Sequence, residues 1–238
     1  MMSILRGLSL RLVPALALVV AVCGMPGPAA AGPLIRFTDT RPDGSGFWPL
    51  NDDFSNVAVS WTQSVASSNV SLSVVLGRGA GASTGAWYVT NAIGPGTTAA
   101  NVLDSGIYDL SAAGPLTSEQ VYNLNLAPRI VLTSGLSFAP GTYHLVLDGP
   151  VSQFIDGAEW LGDVRPDITL AAGFTLGSSL GTEVVDAFAP ASVFSPLSPR
   201  VMVFEIDGDT AVVPLPASLP LMVAGLVLLG VLRRRAHR

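Results

Sequence analysis

Apolar and polar residues alternate with a period of two through the middle of the chain. Val57, Val59 and Trp61 are separated by Ala58 and Ser60, and Val70, Leu72, Val74 and Leu76 by Ser71, Ser73 and Val75. In an extended strand successive side chains point to opposite faces, so each apolar set marks one face for a core. The same pattern predicts strands over 86–93, 107–110, 130–133, 142–147, 168–171 and 200–206. Breakers fall between them: Gly94-Pro95-Gly96, Ala113-Gly114-Pro115, Ala139-Pro140-Gly141 and Asp148-Gly149-Pro150. Residues 64–68 read as a hairpin loop, and so does the Pro-Gly turn within 136–148, with Tyr143, Leu145 and Leu147 on one face. Helical signals are few: a capped turn opening at Thr117 and a second turn over 157–161. Eight or more short strands with frequent turns predict an all-β fold, an antiparallel β-sandwich of jelly-roll-like type.

The alternation gives way to continuous apolar runs near both ends. Arg6 and Arg11 precede an apolar stretch over 12–22, which is followed by Pro, Gly and Ala29-Ala30-Ala31. That is the plan of a secretory signal peptide, with cleavage expected between Ala31 and Gly32 and Ala29 at the upstream small position. An uncleaved N-terminal membrane helix is the competing reading. At the other end, residues 219–232 carry no charge, and Arg233, Arg234 and Arg235 follow. At about 1.5 Å per residue this run reaches roughly 20 Å, short of a bilayer core of about 30 Å unless the arginines snorkel. It predicts a single C-terminal transmembrane helix, with the Arg cluster left in the cytoplasm. Just upstream, Val213, Pro214, Leu215, Pro216 and Ala217 cannot form regular helix, since Pro214 and Pro216 lack amide hydrogens. The expected organisation is a signal peptide over 1–31, an exported domain over 32–210 and a terminal signal over 211–238.

The sequence Val213-Pro214-Leu215-Pro216-Ala217, a short membrane helix and a terminal Arg cluster, in that order, resemble the sorting tail of PEP-CTERM proteins in its VPLPA form. The resemblance covers about the final 26 residues. It implies an exosortase-type membrane enzyme as partner, acting at or near the Pro-rich motif. It also implies passage through the inner membrane to the cell envelope, outer surface or extracellular matrix. The motif residues are then substrate for another enzyme. A plain membrane anchor would share the topology and lack the cleavage. The segment from Trp61 to Asp148 is also similar to domains that commonly precede such tails, and this similarity implies no site residues.

Charge sharpens the picture. All 17 acidic residues lie between Asp39 and Asp209, whereas half of the 12 arginines sit in the terminal segments and lysine is absent. The domain between therefore carries about −11, which excludes a phosphate backbone as a natural partner. Cys23, the one cysteine, lies in the predicted leader, and Val22 before it argues against a lipoprotein signal. Loss of the leader leaves no thiol for a disulfide, a nucleophile or a thiolate metal site.

Candidate chemistry in the domain is sparse. His144 is its single histidine, and no Gly-x-Ser-x-Gly elbow accompanies it. Glu119, Glu159, Glu183 and Glu205 are scattered without a paired-carboxylate pattern. Calcium is the one cofactor that the acidic turns at Asp39, Asp43, Asp52, Asp53, Asp207 and Asp209 could hold, although none completes a ligand loop. Trp48, Trp87 and Trp160 could stack sugars if exposed together. Gly77-Arg78-Gly79-Ala80-Gly81 lacks the lysine of a phosphate loop. The sequence thus points to a non-enzymatic exported protein without catalytic residues, bound metal or cofactor. Exopolysaccharide is a partner in reach; a carbohydrate-binding module is the alternative, and a secreted hydrolase comes after it.

Overall fold

In the computed structural model, every segment whose alternation predicts a strand contains one, although the 86–93 segment leaves its strand after Thr90. The structure describes residues 31–40, 45–50, 56–78, 84–111, 114–149, 158–182, 188–197 and 199–210. The first strands are β1 (Ala31–Asp39), β2 (Ser45–Leu50), β3 (Val57–Gln63), β4 (Ser67–Val74) and β5 (Leu76–Arg78). Then come β6 (Thr84–Thr90), β7 (Val102–Asp109), β8 (Ile130–Phe138), β9 (Gly141–Leu147) and β10 (Ala158–Asp163). The last are β11 (Asp167–Leu170), β12 (Phe174–Gly181), β13 (Ser195–Pro196), β14 (Val201–Met202) and β15 (Phe204–Thr210). A short helix, α1 (Ser118–Tyr122), starts at the predicted capping box. There the Thr117 hydroxyl accepts from Gln120 N–H at 3.2 Å and Gln120 Oε1 accepts from Thr117 N–H at 2.9 Å.

The fold is all-β, and the strand pairs among the described residues are antiparallel. One sheet runs β11-β1-β15-β4-β8 and a second β13-β12-β3-β9-β6-β7; β10 joins β14, β2 and β5 in a third. All of it lies in one compact unit, Ala30–Ala211.

Two expected hairpins are not hairpins. β3 belongs to the six-stranded sheet and β4 to the five-stranded one, so the 64–66 turn carries the chain from one sheet to the other. The turn between β8 and β9 does the same. Alternation fixes which face of a strand is apolar but not which neighbour it pairs with, so a short polar turn fits either geometry. The two crossings stack, because β4 pairs with β8 and β3 with β9. Buried Gln63 ties them, its Nε2 donating to Val65 O (2.9 Å), Ser67 Oγ (3.0 Å) and Phe138 O (3.3 Å). The 157–161 helical turn is also absent: Ala158–Asp163 is β10, with Trp160 fully buried and its Nε1 donating to Val203 O at 2.8 Å. Gly77 and Arg78 lie in β5, where Gly77 pairs with Glu159.

The two large sheets share one apolar core. Trp61 of β3 meets Phe204 of β15 at 6.1 Å between ring centroids, Phe138 of β8 at 5.8 Å edge-on and Tyr143 of β9 at 5.8 Å. Such aromatic pairs each add about 0.5–1.5 kcal/mol beyond the area they bury. A smaller apolar cluster lies on the other face of the six-stranded sheet. There Ala58 and Val146 are covered by a 3-10 turn at Ala189–Ala191, and Phe188 packs edge-on against Tyr88. Among the described residues no helix is long and apolar enough to cross a membrane. Residues 1–30 of the expected leader and the 219–232 span lie outside those residues.

Candidate functional site: a charged groove on the five-stranded sheet

Period-two alternation builds this site. In β15, Phe204 and Ile206 enter the core, so Glu205 and Asp207 face outward. In β1 the same logic buries Ile35 and Phe37 and turns Arg36 outward; in β4 it leaves Ser71 and Ser73 beside β15. The register sets Glu205 opposite Ser73, Asp207 opposite Ser71, and Ser73 opposite Val131 of β8. One polar row thus crosses the outer face of the sheet.

The segment after α1 raises a rim over this row. Thr40, at the end of β1, holds α1 through its N–H to Tyr122 O (3.4 Å) and its hydroxyl to Val121 O. Leu124 is then fully buried, and Arg129 donates through Nη2 to Phe37 O (3.3 Å) and Leu124 O (3.4 Å). Between rim and sheet lies a groove of about 320 Å³, with Arg36, Arg129, Glu205 and Asp207 as its charged lining.

Glu205 is the hinge of the charge arrangement. Its side chain is 5% exposed, and its two oxygens meet different guanidiniums: Oε1 accepts from Arg36 Nε, and Oε2 lies 3.1 Å from Arg129 Nη1. That second contact is an ion pair without hydrogen-bond alignment, so Nη1 is buried with no hydrogen-bond partner. Arg36 also approaches Asp207 at 3.9 Å. The hydrogen bond to Glu205 raises the Arg36 pKa, whereas burial lowers that of Arg129 against the pull of Glu205. Burial, and then the Glu205 charge, raises the Asp207 carboxyl. The two arginines and two carboxylates balance one another, and the groove carries no net formal charge.

The structure spreads the other sequence candidates apart. Ala31 and Gly32 open β1 opposite Asp209 and Gly208, so a cut between them trims one residue from the strand. Ala29, Val213, Pro214, Leu215, Pro216, Ala217, Arg233, Arg234 and Arg235 lie outside the described residues, as do Asp43, Asp52 and Asp53. Asp39 pairs across to Asp167, and the Asp209 carboxylate accepts from Asn69 Nδ2 at 2.7 Å. Among the described residues no three acidic, His or Cys side chains are grouped to hold a metal. Trp160 and Trp87 are 0% and 4% exposed, so Trp48, Trp87 and Trp160 are not exposed together as a stacking platform. His144 sits on the outer face of the six-stranded sheet, flanked in register by Ser60 and Thr90. Its Nδ1 is buried without a partner, and Ser60 donates to Ser178 O instead.

Sequence reasoning missed Arg36 and Arg129, and it found Glu205 in no paired-carboxylate pattern. The outward direction of Arg36 was legible in Ile35-Arg36-Phe37-Thr38, an alternating run. The chain matches no protein-family model, and no curated protein matches it.

Proposed function

We propose that the chain is a non-enzymatic exported protein, sorted to the envelope or extracellular matrix through its C-terminal signal. The observation that carries this reading is the order of three features: Val213 to Ala217, the uncharged run over 219–232, and Arg233, Arg234 and Arg235. Grease arrests the chain in the inner membrane, the arginines set its direction, and the proline-stiffened segment stays accessible to an exosortase-type enzyme. The signal peptide would supply the first step, export. Val213 follows the last residue of β15 by three positions, so the motif begins close to the folded domain.

We read the domain as a jelly-roll sandwich. The strand order supports this: with the flanking strands set aside, β1-β15-β4-β8 faces β3-β9-β6-β7, and the chain passes between the sets at each crossing. Intact-mass measurement of the mature protein from its native host tests the sorting. The expected product begins at Gly32 and ends at or near Val213 to Ala217. Neutralising Arg233, Arg234 and Arg235 together should weaken processing. A mature product that still ends in Arg238 would reduce the tail to a plain anchor.

A further inference from the structure

We infer that the groove on the five-stranded sheet is a binding site for an uncharged polyhydroxylated ligand, a neutral sugar unit. Balanced charges make the argument. Arg36 and Arg129 are already neutralised by Glu205 and Asp207, so the groove offers little net field to draw in an ion. It does offer groups for hydroxyls, which donate and accept at once. Ser71, Ser73 and Asn125 line it with side chains that bond no other described group, and Asp207 is 46% exposed at its mouth. Arg129 lines the groove with its Nη1 buried 3.1 Å from Glu205 Oε2, so the guanidinium is a fixed part of the wall. Val131, 62% exposed, adds an apolar patch against which the C–H face of a ring can lie. A groove of about 320 Å³ has room for one such unit with its neighbours extending into solvent. This site is unrelated to the tryptophan platform, and it does not depend on how the tail is processed.

The test titrates the full-length chain, kept free of sugar-headed detergents, with maltose, cellobiose and mannobiose. Glucuronate and inorganic phosphate serve as charged probes. At least one neutral disaccharide should bind saturably by calorimetry and bind more tightly than either charged probe. Ser71→Phe, which fills the groove from the solvent face, should weaken that binding at least roughly ten-fold. Asn125→Ala, on the rim, should weaken it about five-fold and serves if Ser71→Phe fails to fold. No saturable binding by any neutral disaccharide would overturn the inference. So would tighter binding of glucuronate or phosphate, or undiminished binding in folded Ser71→Phe or Asn125→Ala.

Discussion

Glu205 shows how one side chain can hold two elements by charge alone. It lies between Arg36 of β1 and Arg129 of the rim, buried while Arg36 remains about half-exposed. Removing one member of a buried ion pair costs about 3–5 kcal/mol, because the partner charge is left without compensation. Exposure of Arg36 lets water take over part of that role, so Glu205→Gln should cost about 2–3 kcal/mol in urea denaturation. A loss under about 0.5 kcal/mol would mean that the cluster behaves as surface charge. His144 makes a different prediction. Burial lowers its pKa below the ordinary value, so the unfolded chain takes up the proton first as pH falls. Stability is therefore lost below about pH 6.5, down to the lowered folded pKa. Asp207 slopes the opposite way, since its raised carboxyl pKa favours the protonated fold. Comparing wild type with His144→Gln isolates the histidine: the variant should lose the destabilisation between about pH 7 and pH 5.5. Parallel stability curves would remove His144 as its source.

At the scale of elements, β6 and β7 fit by pairing large residues with none. Trp87 of β6 lies opposite Gly106 of β7, and Tyr108 of β7 opposite Gly85 of β6. A methyl at Gly106 would sit 2.7 Å from the Trp87 ring, and one at Gly85 would sit 2.4 Å from both Tyr108 Cζ and Asp148 O. Tyr108 is also pinned by its hydroxyl, which donates to Asp148 O at 3.0 Å. Overpacking of this kind costs about 1–3 kcal/mol, so Gly106→Ala should lower stability by that much while exposed Ser105→Ala stays near neutral. Equal effects from both would sink the account. Such pairings explain what the sequence could and could not disclose. In β15 alternation sets Phe204 and Ile206 on the core face and Glu205 and Asp207 on the outer one, because face is a local property. Neighbours are not local: Arg36 and Glu205 meet across 169 positions, and nothing along the chain announces that β1 and β15 lie side by side. The same gap made two sheet-to-sheet crossings look like hairpins. Strand β12, Phe174–Gly181, escaped notice because its Gly and Ser interrupt the apolar face, and because it bulges against β3 near Ser60.

For the whole molecule the governing quantity is unbalanced negative charge. All 17 acids lie within the domain, against half as many arginines as the full chain holds and no lysine. Arg36 and Arg129 are committed to the groove, where the burial of Glu205 leaves their contacts with it less exposed to salt. The remaining acids repel one another across a surface that is open to counterions. Repulsion between exposed charges is screened over about 10 Å at 0.1 M salt, whereas the enclosed Glu205 cluster keeps most of its attraction. Moderate sodium chloride therefore removes more of the unfavourable term than of the favourable one. Thermal unfolding between about 20 mM and 200 mM sodium chloride should show the midpoint rising by about 2–4 °C, the response of a domain this size to a gain near 1 kcal/mol. Glu205→Gln should keep that rise, because the cluster is not its source. A midpoint that falls with salt would mean that surface ion pairs, and not repulsion, dominate the electrostatics of the fold.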